Sequence, residues 1–451
     1  MLIPSQGTIN DFINFTFSCS CGKEHLAPIK FINIGENSLQ FLPDLLKEYD
    51  YHKSYFIFDK TTFSKAGDKV CSIMDKAALN YSSYILDHEK LVPDEKAIGE
   101  ILLHFDDECD HIIAVGSGTL NDLSRFISYR LKLPYMIIAT APSMDGFAST
   151  VAPLIVNHMK TTYEAHSPFA IIGDINILKD APMEMLAAGI GDILGKYISL
   201  CEWQISHIIT GEYYCCEIEK LVRHSIEVVV DNITLAKLRD PIAIKNIMEA
   251  LVLSGIAMSF VKNSRPASGS EHHLAHYWEM MSLLEGKTSH LHGTEVGIGT
   301  IAVLKAYELL MNKSIDFSCA KDKAFAFSKE KWDAMIKITY QKASDAVIDL
   351  ENNIGKNDPA RVLPRIDILQ ANWHSLKTLT ANLPSADEVR SYLSLLGAPN
   401  NPTSIGIDKT TFLNSFKVAK DLRNRFGLLQ ILFDLGLTSE IAEEVWEYFQ
   451  S

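Results

Sequence analysis

Basic residues are in deficit, with 42 lysines and arginines against 56 aspartates and glutamates and a formal charge of -14. Such a balance excludes a nucleic-acid or anionic-membrane surface as the main business of the chain, because either needs a net basic face. A phosphorylated small molecule is still allowed if positive charge is gathered locally. No apolar run reaches the ~18 to 20 residues of a membrane span. The opening MLIPSQGTINDFINFTFSCS has no basic flank and no long apolar stretch before a small-residue cleavage site. The expectation is therefore a cytoplasmic protein that neither binds a membrane nor nucleic acid. Cysteine is sparse and lacks a framework spacing: Cys71, Cys109, Cys201 and Cys319 are scattered, and two local pairs remain, Cys19 with Cys21 and Cys215 with Cys216. Reduced thiols follow as the default. Neither pair has the spacing of a standard zinc knuckle. CSCGKEH, ending in His25, offers metal donors, but a plain β-hairpin or loop is the favoured reading. Internal repeats, low-complexity tracts and a GxGxxG fingerprint are also missing.

What is present is core-building material. The chain has 451 residues, of which 47% are hydrophobic and 22% charged, enough for two or more domains. The first portion alternates short apolar runs with amphipathic stretches. FINIG (31–35), SYFIFD (54–59), HIIAVGSG (111–118), PYMIIAT (134–140) and AIIGD (170–174) read as strands, and Asn121 to about Leu131 as a helix between two of them. Strand, helix, strand in that order predicts a parallel sheet. From Pro182, which can open a helix, long segments of helical period follow, among them MEMLAAGIGDILGKYISLCEWQIS and GTEVGIGTIAVLKAYELLM. GAPNNPTSIGIDKTT (397–411) reads as a turn-rich connector between late helices. The predicted architecture is an α/β domain over residues 1–180 and an all-α domain over 181–451.

HIIAVGSGTLNDLSRF sets a glycine-rich turn after a buried strand and at a helix start. Gly116 and Gly118 allow close backbone approach to a pyrophosphate, Ser117 and Thr119 offer hydroxyls, and the helix N-terminus offers free N–H groups. Asp122, in the first turn, can cap those groups or tie down the loop. An ordinary strand–helix turn has the same letters, so context carries the reading. Asp59 ends an early strand, where a ribose hydroxyl is commonly held and a 2′-phosphate disfavoured; Lys60 beside it offsets that preference. Its bland alternative is a turn-initiating aspartate. Thr140 and the following APSMDGFAST loop face the ligand side of an open sheet. Thr140, Ser143 and Ser149 are candidate cofactor contacts, and Asp145 a candidate for the nicotinamide end or a substrate hydroxyl, against a merely polar turn.

Three helical-half fragments supply metal-type ligands: Asp192 in AAGIGDILGK, His272, His273 and His276 in SRPASGSEHHLAHYWE, and His290 and His292 in SHLHGTEVGIG. His272 and His276 share a helical face, while His273 points roughly 100° away. Single histidines are more often satisfied polar residues than ligands. A carboxylate among apolar helical residues is less easily dismissed, because burying it unpaired is costly. An aspartate with two histidines and open positions suits a catalytic divalent ion such as Zn²⁺, Ni²⁺ or Fe²⁺.

The order GSGT-ND, PSxDG, helical GIGD, RPASGSEHHLAH and HLHGTEVGIG resembles the sn-glycerol-1-phosphate dehydrogenases of the iron-containing alcohol dehydrogenase superfamily, which also holds glycerol dehydrogenase and dehydroquinate synthase. The resemblance runs from about residue 30 to the end, and LLGAPNNPTSIGI with AKDLRNRFGLL resembles the bacterial branch. It implies a dehydroquinate synthase-like fold, with a Rossmann-like N-terminal domain and a helical C-terminal domain. It also implies a homodimer, NAD(H) or NADP(H) as cofactor, and one divalent metal. By the same resemblance the metal ligands are Asp192, His272 and His292, and His276 is the second cavity histidine. Gly116, Ser117, Gly118 and Thr119 hold the pyrophosphate, Asp59 the adenosine ribose, and Ser143 and Asp145 the nicotinamide end.

The reaction so implied is reversible reduction of dihydroxyacetone phosphate to sn-glycerol 1-phosphate, with metal-assisted hydride transfer and a proton relayed through water or His276. Lys160, Arg265 and the helix start near Gly269 to Glu271 are candidates for the substrate phosphate, though each residue type is commonly a solvated surface group. A dehydrogenase for an unphosphorylated polyol would use the same ligand set. A dehydroquinate synthase-like lyase would be expected to carry glutamate where Asp192 stands. A catalytically degenerate scaffold is disfavoured, because every expected ligand position holds a competent residue.

Overall fold

The computed structural model describes residues 9–156 and 159–451, the side chain of Met159 excepted. Two compact units emerge, Met1–Ile193 with Cys216–Ser264, and Leu194–Cys215 with Arg265–Ser451. The single boundary expected between residues 180 and 181 is thus replaced by a chain that passes between units three times.

Among the described residues the first unit is built on ten strands: β1 (Thr16–Ser18), β2 (Glu24–Leu26), β3 (Phe31–Gly35), β4 (Lys53–Asp59), β5 (Asn80–Leu86), β6 (His111–Gly116), β7 (Tyr135–Ala139), β8 (Val151–Val156), β9 (Met159–Glu164) and β10 (Ala170–Asp174). Six of them form one parallel sheet in the order β3-β10-β7-β6-β4-β5. β6, β7 and β10 are buried along their whole length, the mark of a parallel sheet covered on both faces. Alternate residues serve different faces. Phe56, Phe58, Ile113, Val115, Met136 and Ile138 join one core, while Tyr55, Ile57, Ile112 and Tyr135 join another with Leu120, Leu123 and Ile127. All five strands read from the sequence are present. β5 was not legible, because NYSSYIL lies at a half-exposed edge and carries polar residues. The short β8–β9 hairpin was likewise not foreseen, whereas β1–β2 falls where a β-hairpin or loop was expected.

Parallel strands all end on one side of the sheet. Asp59 at the end of β4, Gly116 at the end of β6 and Ala139 at the end of β7 therefore open onto the same edge, since β4, β6 and β7 are neighbours. Helix α1 (Gly118–Leu131) starts one residue after β6, three residues earlier than expected. Helix α2 (Met183–Leu194) carries Asp192. Two further helices complete the unit, α3 (Cys216–Lys237) and α4 (Pro241–Val261). Helix α4 packs on α3, on the Gly146–Ala148 turn and on β2 and β3, which is why both helices belong with the sheet although the sequence places them in a helical half. Its length and apolarity would suffice to cross a membrane, yet 78% of that stretch is buried in the fold. Its hydrophobicity is accounted for by core packing.

Among the described residues the second unit contains helices and no strands. Two of its helices matter for chemistry, α5 (Ser270–Leu284) and α6 (His292–Asn312), which pack against each other.

Candidate active site

At the sheet edge of the first unit, the turn after β6 is held by side chains from two loops. A Cβ at Gly116 would stand 2.4 Å from Leu120 Cδ1, so glycine here lets α1 fold back directly onto its strand. Gly118 has no such conflict; a Cβ there would only touch Met144. Ser117 and Ser143 are hydrogen-bonded through their hydroxyls, tying the β6 turn to the loop after β7. Asn121 Nδ2 donates to the Gly146 carbonyl at 3.3 Å. The Thr140 amide donates to the Gly116 carbonyl at 3.0 Å.

Arg125 organises the rest of this edge. Its guanidinium is buried and donates to the carbonyls of Gly146, Phe147 (3.1 Å) and Val151 (2.9 Å), to Tyr135 Oη (2.7 Å) and to Asp122 (2.9 Å). Burial pushes the Asp122 carboxyl up to about 7, while Arg125 and Lys160 oppose that shift. The 2.9 Å contact with a guanidinium favours the ionised form. Asp122 thus ties down the loop through Arg125, and Lys160, on β9, acts on it electrostatically.

Asp59 caps the helical turn that follows β4: its carboxylate accepts from the Thr62 amide at 2.7 Å, and Thr62 Oγ1 accepts from the Asp59 amide at 3.0 Å. Lys60 pairs with Asp87, drawing its charge away from Asp59. Ser149 exchanges hydrogen bonds with Val151 backbone groups at 3.1 and 3.2 Å and so shapes the loop.

The same loop reaches α2. The Asp145 amide donates to Asp192 Oδ2 at 3.0 Å, and Ser254 Oγ donates to Asp145 Oδ2 at 2.9 Å. Asp192 is fully buried. Closeness of this order requires Gly189, where a Cβ would lie 2.1 Å from the Pro142 carbonyl oxygen.

In the second unit three imidazoles gather. His272 and His292 lie 5.2 Å apart by ring centroid, His276 and His292 stack at 5.4 Å, and His272 and His276 are 5.9 Å apart. Each of two rings is oriented by a carboxylate: His272 Nδ1 donates to Glu271 Oε1, and His292 Nδ1 to Glu279 Oε1, both at 2.7 Å. A carboxylate on Nδ1 fixes the ring's tautomer and orientation, the usual support of a metal-bound imidazole. The doubled histidines behave differently. His273 is buried, and burial with Arg425, Lys356, Arg423 and Arg265 around it holds its imidazole well below the usual value. His290 is exposed, and its amide donates to Glu295 at 3.2 Å.

Arg265 is turned into the interior of this unit, donating to Glu212 at 3.2 Å and to the carbonyls of Glu202 (2.9 Å) and Phe426 (2.8 Å). Those bonds hold the guanidinium in place through Nε and Nη2. Glu271, near the helix start proposed for phosphate, accepts from the Gly269 amide at 2.7 Å and so places negative charge there. Sequence reasoning passed over Glu279, Arg423 and Arg425. Glu279 stands three residues after His276, one helical turn on, a spacing that could have drawn attention to it. Arg425 donates to the Ser268 carbonyl at 2.6 Å, and burial, with Arg265 and Arg423 close by, lowers it to about 9.

These arrangements have relatives. Residues 33–182 match the family model described as iron-containing alcohol dehydrogenase. Glycerol-1-phosphate dehydrogenase [NAD(P)+] of Geobacillus stearothermophilus is 31% identical over 433 residues, covering 95% of this chain and 98% of its own length. The enzyme of that name from Bacillus licheniformis is 37% identical over 317 residues, 68% of this chain and 79% of its own. Among solved structures, a probable glycerol dehydrogenase from Sinorhizobium meliloti 1021 superposes with a TM-score of 0.61 at 14% identity, covering 94% of this chain and 98% of that one, which speaks for the fold. The chain belongs to the glycerol-1-phosphate dehydrogenase family of the iron-containing alcohol dehydrogenase superfamily.

Proposed function

We propose that this protein reversibly reduces dihydroxyacetone phosphate to sn-glycerol 1-phosphate with NADH or NADPH, and that Asp192, His272 and His292 hold one divalent ion for the reaction. The observation that carries the ligand assignment is the pair of carboxylate–imidazole contacts, Glu271 on His272 and Glu279 on His292. They fall on the two histidines that the family motif selects. The donor set of one carboxylate and two imidazoles fits Zn²⁺, Ni²⁺ or Fe²⁺. Such an ion, when bound, supplies Lewis-acid polarisation of the ketone.

The chain's own groups do the remaining work. Gly116 to Thr119 and the N-terminus of α1 receive the pyrophosphate, while the Ser117–Ser143 bond and Arg125 keep that edge in shape. Asp59 takes the adenosine ribose. Its capping bonds fix the carboxylate, and the Lys60–Asp87 pair removes the cation that would welcome a 2′-phosphate, so NADH is the favoured donor. Ser143 and Asp145 line the nicotinamide end, with Asp145 oriented by Ser254. His276, stacked on His292, delivers or accepts the proton on the C2 oxygen. Arg423 and Arg425, guanidiniums gathered around His273, are assigned to the substrate phosphate. Lys160 is assigned no direct contact beyond its pull on Asp122. The enzyme is expected to act as a cytoplasmic homodimer.

The test is nicotinamide oxidation in chelator-treated protein, comparing dihydroxyacetone phosphate with dihydroxyacetone, with Zn²⁺ and Ni²⁺ restored separately. Metal-restored turnover that favours the phosphorylated ketone, and a raised KM for it in Arg425→Met, support the reading. Preference for dihydroxyacetone assigns the chain to polyols instead, and inactivity with both removes the substrate assignment.

A further inference from the structure

The CSCGKEH segment forms a hairpin, as the sequence suggested, with β1 and β2 paired through Phe17 and His25. Its turn does more than reverse the chain. The Gly22 amide donates to the Cys19 carbonyl at 3.0 Å, the Cys19 amide to the Lys23 carbonyl at 3.0 Å, and the Cys21 amide points at Cys19 Sγ from 3.5 Å. Gly22 has a left-handed φ of 82°, which lets the turn close this tightly.

His25 is fully buried and has a fixed tautomer. Its Nδ1 lies 2.9 Å from the carbonyl oxygen of Phe260, which can only accept, so Nδ1 carries the proton. Nε2 is therefore the unprotonated nitrogen, and it accepts from the Cys21 thiol at 3.3 Å. A backbone carbonyl holding the far nitrogen of an imidazole is the arrangement that orients a metal ligand. Phe17 and Phe260 pack on the ring at centroid distances of 4.8 and 5.9 Å, so it cannot turn away.

A further thiol arrives from the chain leading into α3. Cys215 is buried and immediately precedes that helix, whereas Cys216 is exposed. Donor atoms of Cys19, Cys21, His25 and Cys215 all lie within 4.8 Å of one another. Two ligands of one tetrahedral zinc stand roughly 3.5 to 3.8 Å apart, given metal–ligand bonds of about 2.0 to 2.3 Å. The spacing here is already close to that.

We propose that Cys19, Cys21, His25 and Cys215 form a second, structural metal site that takes a thiophilic divalent ion, Zn²⁺ by donor type, and clamps the N-terminal hairpin to the start of α3 and the end of α4. Three sulfurs and one imidazole in a closed set leave no open position for substrate, which separates this site from an Asp–His–His set in both chemistry and purpose. Binding releases thiol protons to solvent and needs no oxidant.

The full-length protein, loaded with Co²⁺, tests this without reference to turnover. Only sulfur ligation gives an intense near-ultraviolet thiolate-to-cobalt band, and the proposed catalytic ligands contain no sulfur. Wild-type protein is expected to show the band. Asp192→Ala should keep it while losing one metal equivalent, and Cys216→Ser should also keep it. Cys21→Ser should lose the band together with one equivalent. In the zinc form of Asp192→Ala, X-ray absorption should find sulfur at roughly 2.3 Å. A wild-type cobalt spectrum without the band, or zinc with only light-atom neighbours in Asp192→Ala, overturns the proposal whether or not the serine variant folds. Unchanged metal content and spectrum in a folded Cys21→Ser protein overturns it equally.

Discussion

His292 Nδ1 donates to Glu279 Oε1 at 2.7 Å, linking the first residue of α6 to the middle of α5. With the matching contact of His272 on Glu271, this fixes both imidazoles before any ion arrives. Removing the charge of such an outer carboxylate typically costs about 10- to 100-fold in metal affinity. Glu279→Gln should therefore lose the active-site ion to a competing chelator at correspondingly lower concentration, with circular dichroism unchanged. Unaltered competition would remove Glu279 from the metal's support.

His276 stacks on His292 but has no assigned ligand role. If it moves the proton, His276→Asn should lower kcat by about 10²- to 10⁴-fold, the range for a lost general acid–base group. Metal content should be retained. A variant that keeps wild-type kcat would transfer the proton step to water.

Gly189 is the point where α2 meets the loop bearing Ser143 and Asp145. Because an added Cβ would stand 2.1 Å from the Pro142 carbonyl oxygen, Gly189→Ala must push the loop away from Asp192. Displacements near 1 Å can cost ~10²-fold in rate. We expect a loss of that order in kcat/KM with a folded protein, and full activity would show that the loop yields without consequence.

Arg125 is a buried hub, and Asp122 depends on it. Arg125→Met leaves that carboxylate without its partner and several loop carbonyls without donors. Breaking a buried pair in this way costs about 3 to 5 kcal/mol. Denaturant unfolding should register the loss, together with a raised KM for the nicotinamide cofactor.

Glu202 supplies a pH signature. Burial, aided by Glu271 nearby, pushes its carboxyl from the ordinary 4.5 up to about 7. The folded protein then holds this proton more tightly than the unfolded chain. Its contribution is fully present below 4.5 and is lost as pH rises toward 7. Glu202→Gln lacks this dependence, so the difference in Tm, variant minus wild type, should become more positive from pH 4.5 to 7 and level off above. A constant difference across that range would show that Glu202 ionises normally.

Much of this was legible in residue order. The apolar runs of β3, β4, β6, β7 and β10 announce a covered parallel sheet, since strands buried on both faces need no alternation. The turn at Gly116 to Thr119 reads directly, because strand, glycine and helix start are contiguous. Residues whose meaning depends on distant partners were harder to read. Arg265 has the letters of a phosphate ligand, and its burial and its bonds from Nε and Nη2 to Glu212, Glu202 and Phe426 had no local signal. Arg125 attracted no notice, although five groups rest on it. The grouping of the CSCGKEH donors with Cys215 was not legible, because that sulfur lies almost two hundred positions along the chain.

By itself, then, the sequence determined the sheet, the helical half, the glycine turn after β6 and the types of donor available, all of which depend on local period and local chemistry. Only the tertiary structure decided that α3 and α4 belong with the sheet. It also decided that His272 and His292, not His273 and His290, have carboxylates on Nδ1, and that His25 is locked by the carbonyl of Phe260. The reason is common to all three. Whether the partner is adjacent, as Glu271 is to His272, or hundreds of positions away, as Phe260 is from His25, packing decides which group each ring meets, and no local pattern records it.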